Sequence, residues 1–109
     1  MPRMDSLHGA LPVMVLKILL RRGPLHGYAI ATKIEEMSED ALRVEEGSLY
    51  PALYRLEENA WIRAKWVKTE NKQRARVYEI TEAGRRYLES EEQRWHQVTA
   101  AIVGVLKRA

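Results

Sequence analysis

"EEGSLYPALYRLEENAW", residues 45–61, is the stretch from which the rest of the chain can be read. Leu49, Ala52, Leu53, Leu56 and Ala60 recur at the three- and four-residue intervals of a single buried helical stripe. Pro51 sits among them, and a helix accepts proline most readily in its first turn, where a missing N–H has no intrahelical acceptor to serve. The spacing therefore predicts a helix capped by Gly47 or Ser48 and ending near Asn59, with Pro51 marking its start. Its other face presents Tyr50, Pro51, Tyr54 and Arg55. Two phenol hydroxyls and a guanidinium fork suit phosphate oxygens or the O6 and N7 atoms of guanine. Ser48 has two readings that are compatible, as helix cap and as phosphate contact, because N–H groups at a helix start also attract phosphate. Glu45 and Glu46 run against a positive face: they either interact with the helix dipole or point away, and both arrangements weaken non-specific affinity for a polyanion.

Upstream, Leu11, Met14, Val15, Ile18 and Leu19 form a wide apolar face from Leu11 to Arg22, with Pro12 in the first turn. "RRGPLHGY" ends that helix, since Gly23 allows a terminating backbone and Pro24 cannot continue the ladder. A second helix is expected from His26 or Gly27 to Met37, burying Ile30, Ala31, Ile34 and Met37. Downstream of Trp61 the period changes from helical to alternating. "WIRAKWVKT" places Ile62, Ala64 and Trp66 inward, and "ARVYEIT" does the same with Tyr78 and Ile80, so the polar "ENKQR" between them turns an antiparallel hairpin. Thr81 then caps a final helix of about 27 residues, about 40 Å at 1.5 Å per residue. Leu88, Trp95 and Ile102 recur every seven residues along it, Val98 and Val105 fill the intervening seam position with Glu91 as the one polar interruption, and Leu106 follows Val105. A helix longer than its core, with such a seam, is expected to pair with a second copy; the competing arrangement folds it back on its own domain.

Three helices, a two-stranded hairpin and a trailing helix follow the order of a winged helix-turn-helix, in which the third helix enters the DNA major groove and the hairpin follows the backbone. The expected fold is mainly α with a small β-hairpin, divided into a DNA-binding part at residues 1–81 and a dimerisation helix at residues 82–109.

Charge supports that assignment. Net charge over the 109 residues is only +3, but it is unevenly spread. Residues 61–81 hold Arg63, Lys65, Lys68, Lys72, Arg74 and Arg76 against Glu70 and Glu79, whereas residues 23–60 are acidic overall. The hairpin is thus the local basic element, with Lys68, Lys72, Arg74 and Arg76 as candidate phosphate contacts. Arg76, in register with Tyr78, can instead lie along the hairpin. The chain has no cysteine, which excludes disulfides and thiolate chemistry. His8, His26 and His96 are isolated and lack the spacing of a metal pair. Glu35, Glu36, Glu57 and Glu58 read as solvated helix faces, and no nucleophile, phosphate-loop or dinucleotide motif occurs. Neither enzyme activity, cofactor nor metal is expected. The apolar N-terminal run is interrupted by Lys17 and is too short to span a bilayer, so a cytoplasmic, non-membrane protein is expected.

"GPLHGYAIATKIEE", "LRVEEGSLYPALYRLEENAWI" and "ARVYEITEAGRRYLE" together resemble the PadR family of bacterial transcriptional regulators, in its short form with one dimerising helix. The resemblance extends from about Leu7 to Leu106. It implies a homodimeric repressor on a pseudo-palindromic double-stranded operator, released by an effector or stress signal. It assigns DNA contact to Ser48, Tyr50, Pro51, Tyr54 and Arg55, adds Tyr28 at the start of the bracing helix, and includes the basic hairpin. It also implies a planar aromatic effector held between tryptophans at the dimer centre, where Trp95 is comparably placed; the alternative is that Trp95 is core. From the residues alone a second function class stays open: a winged helix used as a protein-interaction module, its final helix docking a partner, with the acidic second and third helices as the support for it.

Overall fold

Gly23, with φ +82°, closes the first helix, donating its N–H to the Leu19 carbonyl at 3.0 Å. The computed structural model describes residues 9–109; His8 and the residues before it lie outside that range. Helix α1 spans Leu11–Arg22, strand β1 Leu25–His26, helix α2 Gly27–Met37, helix α3 Glu46–Glu58, strands β2 and β3 Ile62–Lys68 and Arg74–Ile80, and helix α4 Glu82–Arg108. The fold is mainly helical with a small antiparallel sheet, as expected.

The core lies where α1, α2 and α3 meet the base of the sheet. Leu11, Leu16, Leu19, Ile30, Leu49, Leu53, Leu56, Ile62 and Leu88 are among its fully enclosed side chains. Each such side chain contributes about 1.5–3 kcal/mol by leaving water. Met37, expected inside, is half-exposed at the last residue of α2, beside an open groove that it shares with Met14, Ile18 and Leu42.

The sheet has three strands in the order β1–β3–β2 rather than the two expected. Strand β1 pairs Leu25 with Tyr78 and His26 with Val77, and two residues are too few to leave a periodic signal. In the β2–β3 ladder, Ile62 faces Ile80, Ala64 faces Tyr78, Trp66 faces Arg76 and Lys68 faces Arg74. Directly opposed residues share a face. That face is buried at its base and emerges into solvent at Trp66, because the hairpin outruns the helices that cover it.

Helix α3 corrects the account of Pro51. It begins at Glu46, with Glu45 as an extended N-cap whose carbonyl accepts from Ser48 N–H at 3.0 Å and Leu49 N–H at 2.9 Å. Pro51 is therefore its sixth residue, not part of its first turn, and it cannot donate to the Gly47 carbonyl. Gly47 and Pro51 are both exposed, so water can serve that carbonyl and the usual penalty is reduced. Ser48 is not the cap.

Two of the acidic side chains expected to be merely solvated also hold structure. Glu35 Oε2 accepts the Val44 N–H at 3.2 Å, tying the α2–α3 connector to α2, and Glu57 binds Arg76.

Helix α4 starts on Thr81, whose Oγ1 accepts the Gly84 N–H at 3.0 Å while its hydroxyl donates to the Ala60 carbonyl at 2.6 Å. Trp61 stacks on Tyr87, ring centroids 3.5 Å apart. Leu88, expected to open the intermolecular seam, is corrected to a core residue: only 2% of it is exposed, inside its own chain. Helix α4 leaves the core near the Lys17–Glu92 ion pair at 3.0 Å. Beyond that point Ile102, Val103, Val105 and Leu106 are exposed, while Trp95 and Val98 are half-buried.

Candidate nucleic-acid interface

Helix α3 presents its candidate contacts because its leucines face the other way. Tyr54 is 63% exposed; Pro51 and Arg55 are also exposed, and Ser48 is half-buried near the start. Tyr50 is divided between two environments. Its ring packs across the start of α2, where a Cβ on Gly27 would come within 2.9 Å of its hydroxyl oxygen, while 44% of the residue stays in solvent. Tyr28, one residue further along α2, is 79% exposed and lines the same small cleft of about 140 Å³ as Tyr50. The structure thus places Tyr28 and Tyr50 side by side across the helix-turn-helix.

Pairing separates the basic residues of the wing. On its outer face Glu79 takes Arg63 at 2.8 Å and Lys65 at 3.6 Å, and the hydrogen bond from Arg63 holds the Glu79 carboxyl below the usual carboxylate range. Arg76, on the other face, donates to Glu57 of α3 at 2.8 Å and lies over the Tyr78 ring at 5.7 Å. Burial pushes the Tyr78 hydroxyl's pKa up, and the Arg76 guanidinium works against that rise. Arg76 is thereby a strut between wing and α3 rather than a free phosphate contact. Lys68, Lys72 and Arg74 have no carboxylate within ion-pair distance among the described residues. Lys72 occupies the tip in a left-handed backbone, φ +61°, with its N–H donated to the Thr69 carbonyl at 2.9 Å. The Arg76–Glu57 strut brings one face of the wing to the C-terminal end of α3.

Glu45 and Glu46, at the start of α3, are exposed and unpaired among the described residues. Their place at the positive end of the helix dipole accounts for them locally. Three residues that support this surface carry no such role in the sequence pattern: Gly27, against which Tyr50 packs; Glu57, which anchors Arg76; and Trp66, on the face expected from the alternation but 57% exposed. Only Trp66 left a signal, since it lies at the outer end of a strand whose covering helices are used up by Ile62 and Ala64.

Among the described residues no cluster of histidines and carboxylates could hold a metal, and no helix is long and apolar enough to cross a membrane.

This arrangement has relatives. The chain is 28% identical over 102 residues to a Lysinibacillus sphaericus protein called uncharacterized protein X, covering 94% of this chain and 93% of that one. Its fold matches a transcriptional regulator from Clostridium thermocellum with a TM-score of 0.83 at 28% identity, over 92% of this chain and 96% of the other. It also matches a PadR-like transcriptional regulator from Bacillus cereus with a TM-score of 0.78 at 27% identity, over 96% and 99% of the two chains. Residues 15–90, from the core of α1 through the wing to the first turns of α4, match the PadR-like family of transcriptional regulators, and the chain belongs to that family.

Proposed function

We propose that the protein acts as a homodimeric repressor on a pseudo-palindromic operator, with α3 reading the major groove and the wing following the backbone. The observation that carries this reading is the selective pairing of the wing's cations. Carboxylates take Arg63, Lys65 and Arg76, while Lys68, Lys72 and Arg74 have no carboxylate partner among the described residues, on a wing that Arg76 ties to α3, the helix that exposes Tyr54 and Arg55. Dimerisation is supported by the outer half of α4, where Ile102, Val105 and Leu106 stand in solvent in line with Trp95 and Val98. An apolar stripe of that length on a protruding helix calls for a like stripe to cover it.

The test is binding to the promoter region beside its own gene against shuffled DNA of the same composition, across a salt series. The expected result is preference for the promoter. Lys72→Ala should weaken binding about equally on both duplexes and reduce the salt slope by about 2 per dimer, one phosphate contact of about 0.9 from each wing. A Lys72→Ala protein with an unaltered slope would remove the tip from the interface.

Release by a planar aromatic effector at Trp95 is supported by one feature of that ring. Its Nε1–H is buried and has no acceptor among the described residues, although the ring itself packs on the backbone at Gly9. A buried donor without a partner costs about 1–3 kcal/mol, which an acceptor on a ligand would recover. Titration of a planar aromatic dye should quench tryptophan fluorescence and weaken DNA binding. Both effects should disappear in a Trp95→Ala dimer, and quenching that persists there would place the ligand elsewhere. By linkage the effector must bind the free dimer more tightly than the DNA-bound one.

A further inference from the structure

Trp66 is a large apolar ring standing in solvent. Its direct neighbour across the ladder is Arg76, and the next pair toward the tip on the same face is Lys68 with Arg74. The Arg74 guanidinium lies over the indole, 4.9 Å from the ring centroid. One face of the wing therefore passes from the buried Ile62–Ile80 and Ala64–Tyr78 pairs to an exposed aromatic flanked by basic groups. An indole left in water forgoes a large favourable burial, and its stacked arginine is held in place at a cost in side-chain freedom. Such a pair gains most when a partner covers it.

The surrounding charges identify the partner. Among the described residues Lys68 and Arg74 on this face, and Lys72 at the tip, have no carboxylate partner, whereas on the opposite face Arg63 and Lys65 both pair with Glu79. The Arg76–Glu57 ion pair at 2.8 Å turns this same face toward the end of α3. A partner that meets it must be anionic, must touch α3 as well, and must offer apolar surface between its charges. A DNA duplex meets all three conditions, since deoxyribose rings and base edges lie between rows of phosphate.

We infer that Trp66 is a DNA-contact residue, its ring lying on the sugars of the groove beside the one that α3 enters, with Arg74 stacked on it and directed at the adjoining phosphate. This rests on the DNA-binding function proposed above and assigns to the wing an apolar, salt-independent share of affinity alongside its charge.

The two kinds of contact separate in a salt series. Trp66→Ala should weaken binding to promoter and shuffled duplexes alike by about tenfold, leaving the slope of log affinity against log salt within about one unit of the parent, because no phosphate charge is lost. Trp66→Phe should recover part of that loss. Arg74→Ala should reduce the slope by about 2 per dimer. In protein labelled with fluorotryptophan, the lines of the three tryptophans are assigned by Trp66→Phe and Trp95→Phe, and the Trp66 fluorine line should shift on adding either duplex while that of Trp61, stacked on Tyr87, stays. Parent-like affinity in Trp66→Ala, or a Trp66 line that duplex leaves unmoved, overturns the inference and leaves the ring for a protein partner. A slope loss in Trp66→Ala equal to that of Arg74→Ala also overturns it, making Trp66 a support for Arg74 and not a contact. The fluorine line is read on the unsubstituted protein, so it decides the matter even if a variant folds poorly. Failure of the unsubstituted protein to bind either duplex overturns the DNA-binding function itself, which is a distinguishable result.

Discussion

Gly84→Ala is expected to destabilise the protein by about 3 kcal/mol or more, lowering its melting temperature by roughly 10–20 °C. In an open helix the same change would stabilise by up to about 1 kcal/mol, because glycine is the poorer helix former. The environment reverses the sign. A Cβ on Gly84 would collide with the Trp61 carbonyl oxygen and approach Ile80 Cγ1 to 2.9 Å. Trp61 O is backbone and already accepts the Thr81 N–H at 3.0 Å, so it cannot move aside alone. Relief requires lifting the start of α4 from β2, which strains the Thr81 cap and the Trp61–Tyr87 stack together. Thr81→Ala, which removes the cap and the hydrogen bond to the Ala60 carbonyl but creates no clash, should cost about 1–2 kcal/mol. Thermal unfolding at fixed protein concentration measures both, and equal losses from the two changes would show that the close approach at Gly84 is not a constraint.

The second large effect falls on recognition instead of stability. Arg55→Ala and Tyr54→Ala should each erase most of the preference for the promoter, by about 2–6 kcal/mol over two half-sites if each side chain makes one good base contact per half-site. Both side chains are exposed and outside the core, so unfolding free energy should change by no more than about 0.5 kcal/mol. Arg55 makes no ion pair among the described residues, which leaves its guanidinium free for this task. Affinity for the promoter and for shuffled DNA, measured at one salt concentration, gives the ratio directly. A loss equal on both duplexes would assign Arg55 to phosphate and leave base reading to other side chains.

The surface on which these predictions rest was legible in the sequence to different depths. Tyr28, Tyr54 and Arg55 are exposed because the apolar stripe of their own helix fixes which way they point, and a stripe is visible in one dimension. Arg76 shows the limit. From the sequence it is another wing cation in register with Tyr78; its strut role depends on Glu57, 19 residues earlier, being brought to 2.8 Å by the packing of α3 on the sheet. Leu88 shows the same limit in the opposite direction. Its heptad spacing with Trp95 and Ile102 is real, but spacing cannot tell how far along α4 the domain's own core reaches. That reach encloses Leu88 completely and Trp95 in part, and leaves Ile102 in solvent.

Periodicity and punctuation by themselves determined the four helices, the hairpin, their order and the basic character of the wing, because each depends on residues within a turn or a strand of one another. Only the tertiary structure decided that Pro51 lies inside α3, that a third strand at Leu25–His26 closes the sheet, that Trp66 faces solvent, and which of the wing's cations are already paired. Those outcomes depend on where separate elements come to rest against each other, and the free energy that sets their placement comes from burying side chains distant in sequence.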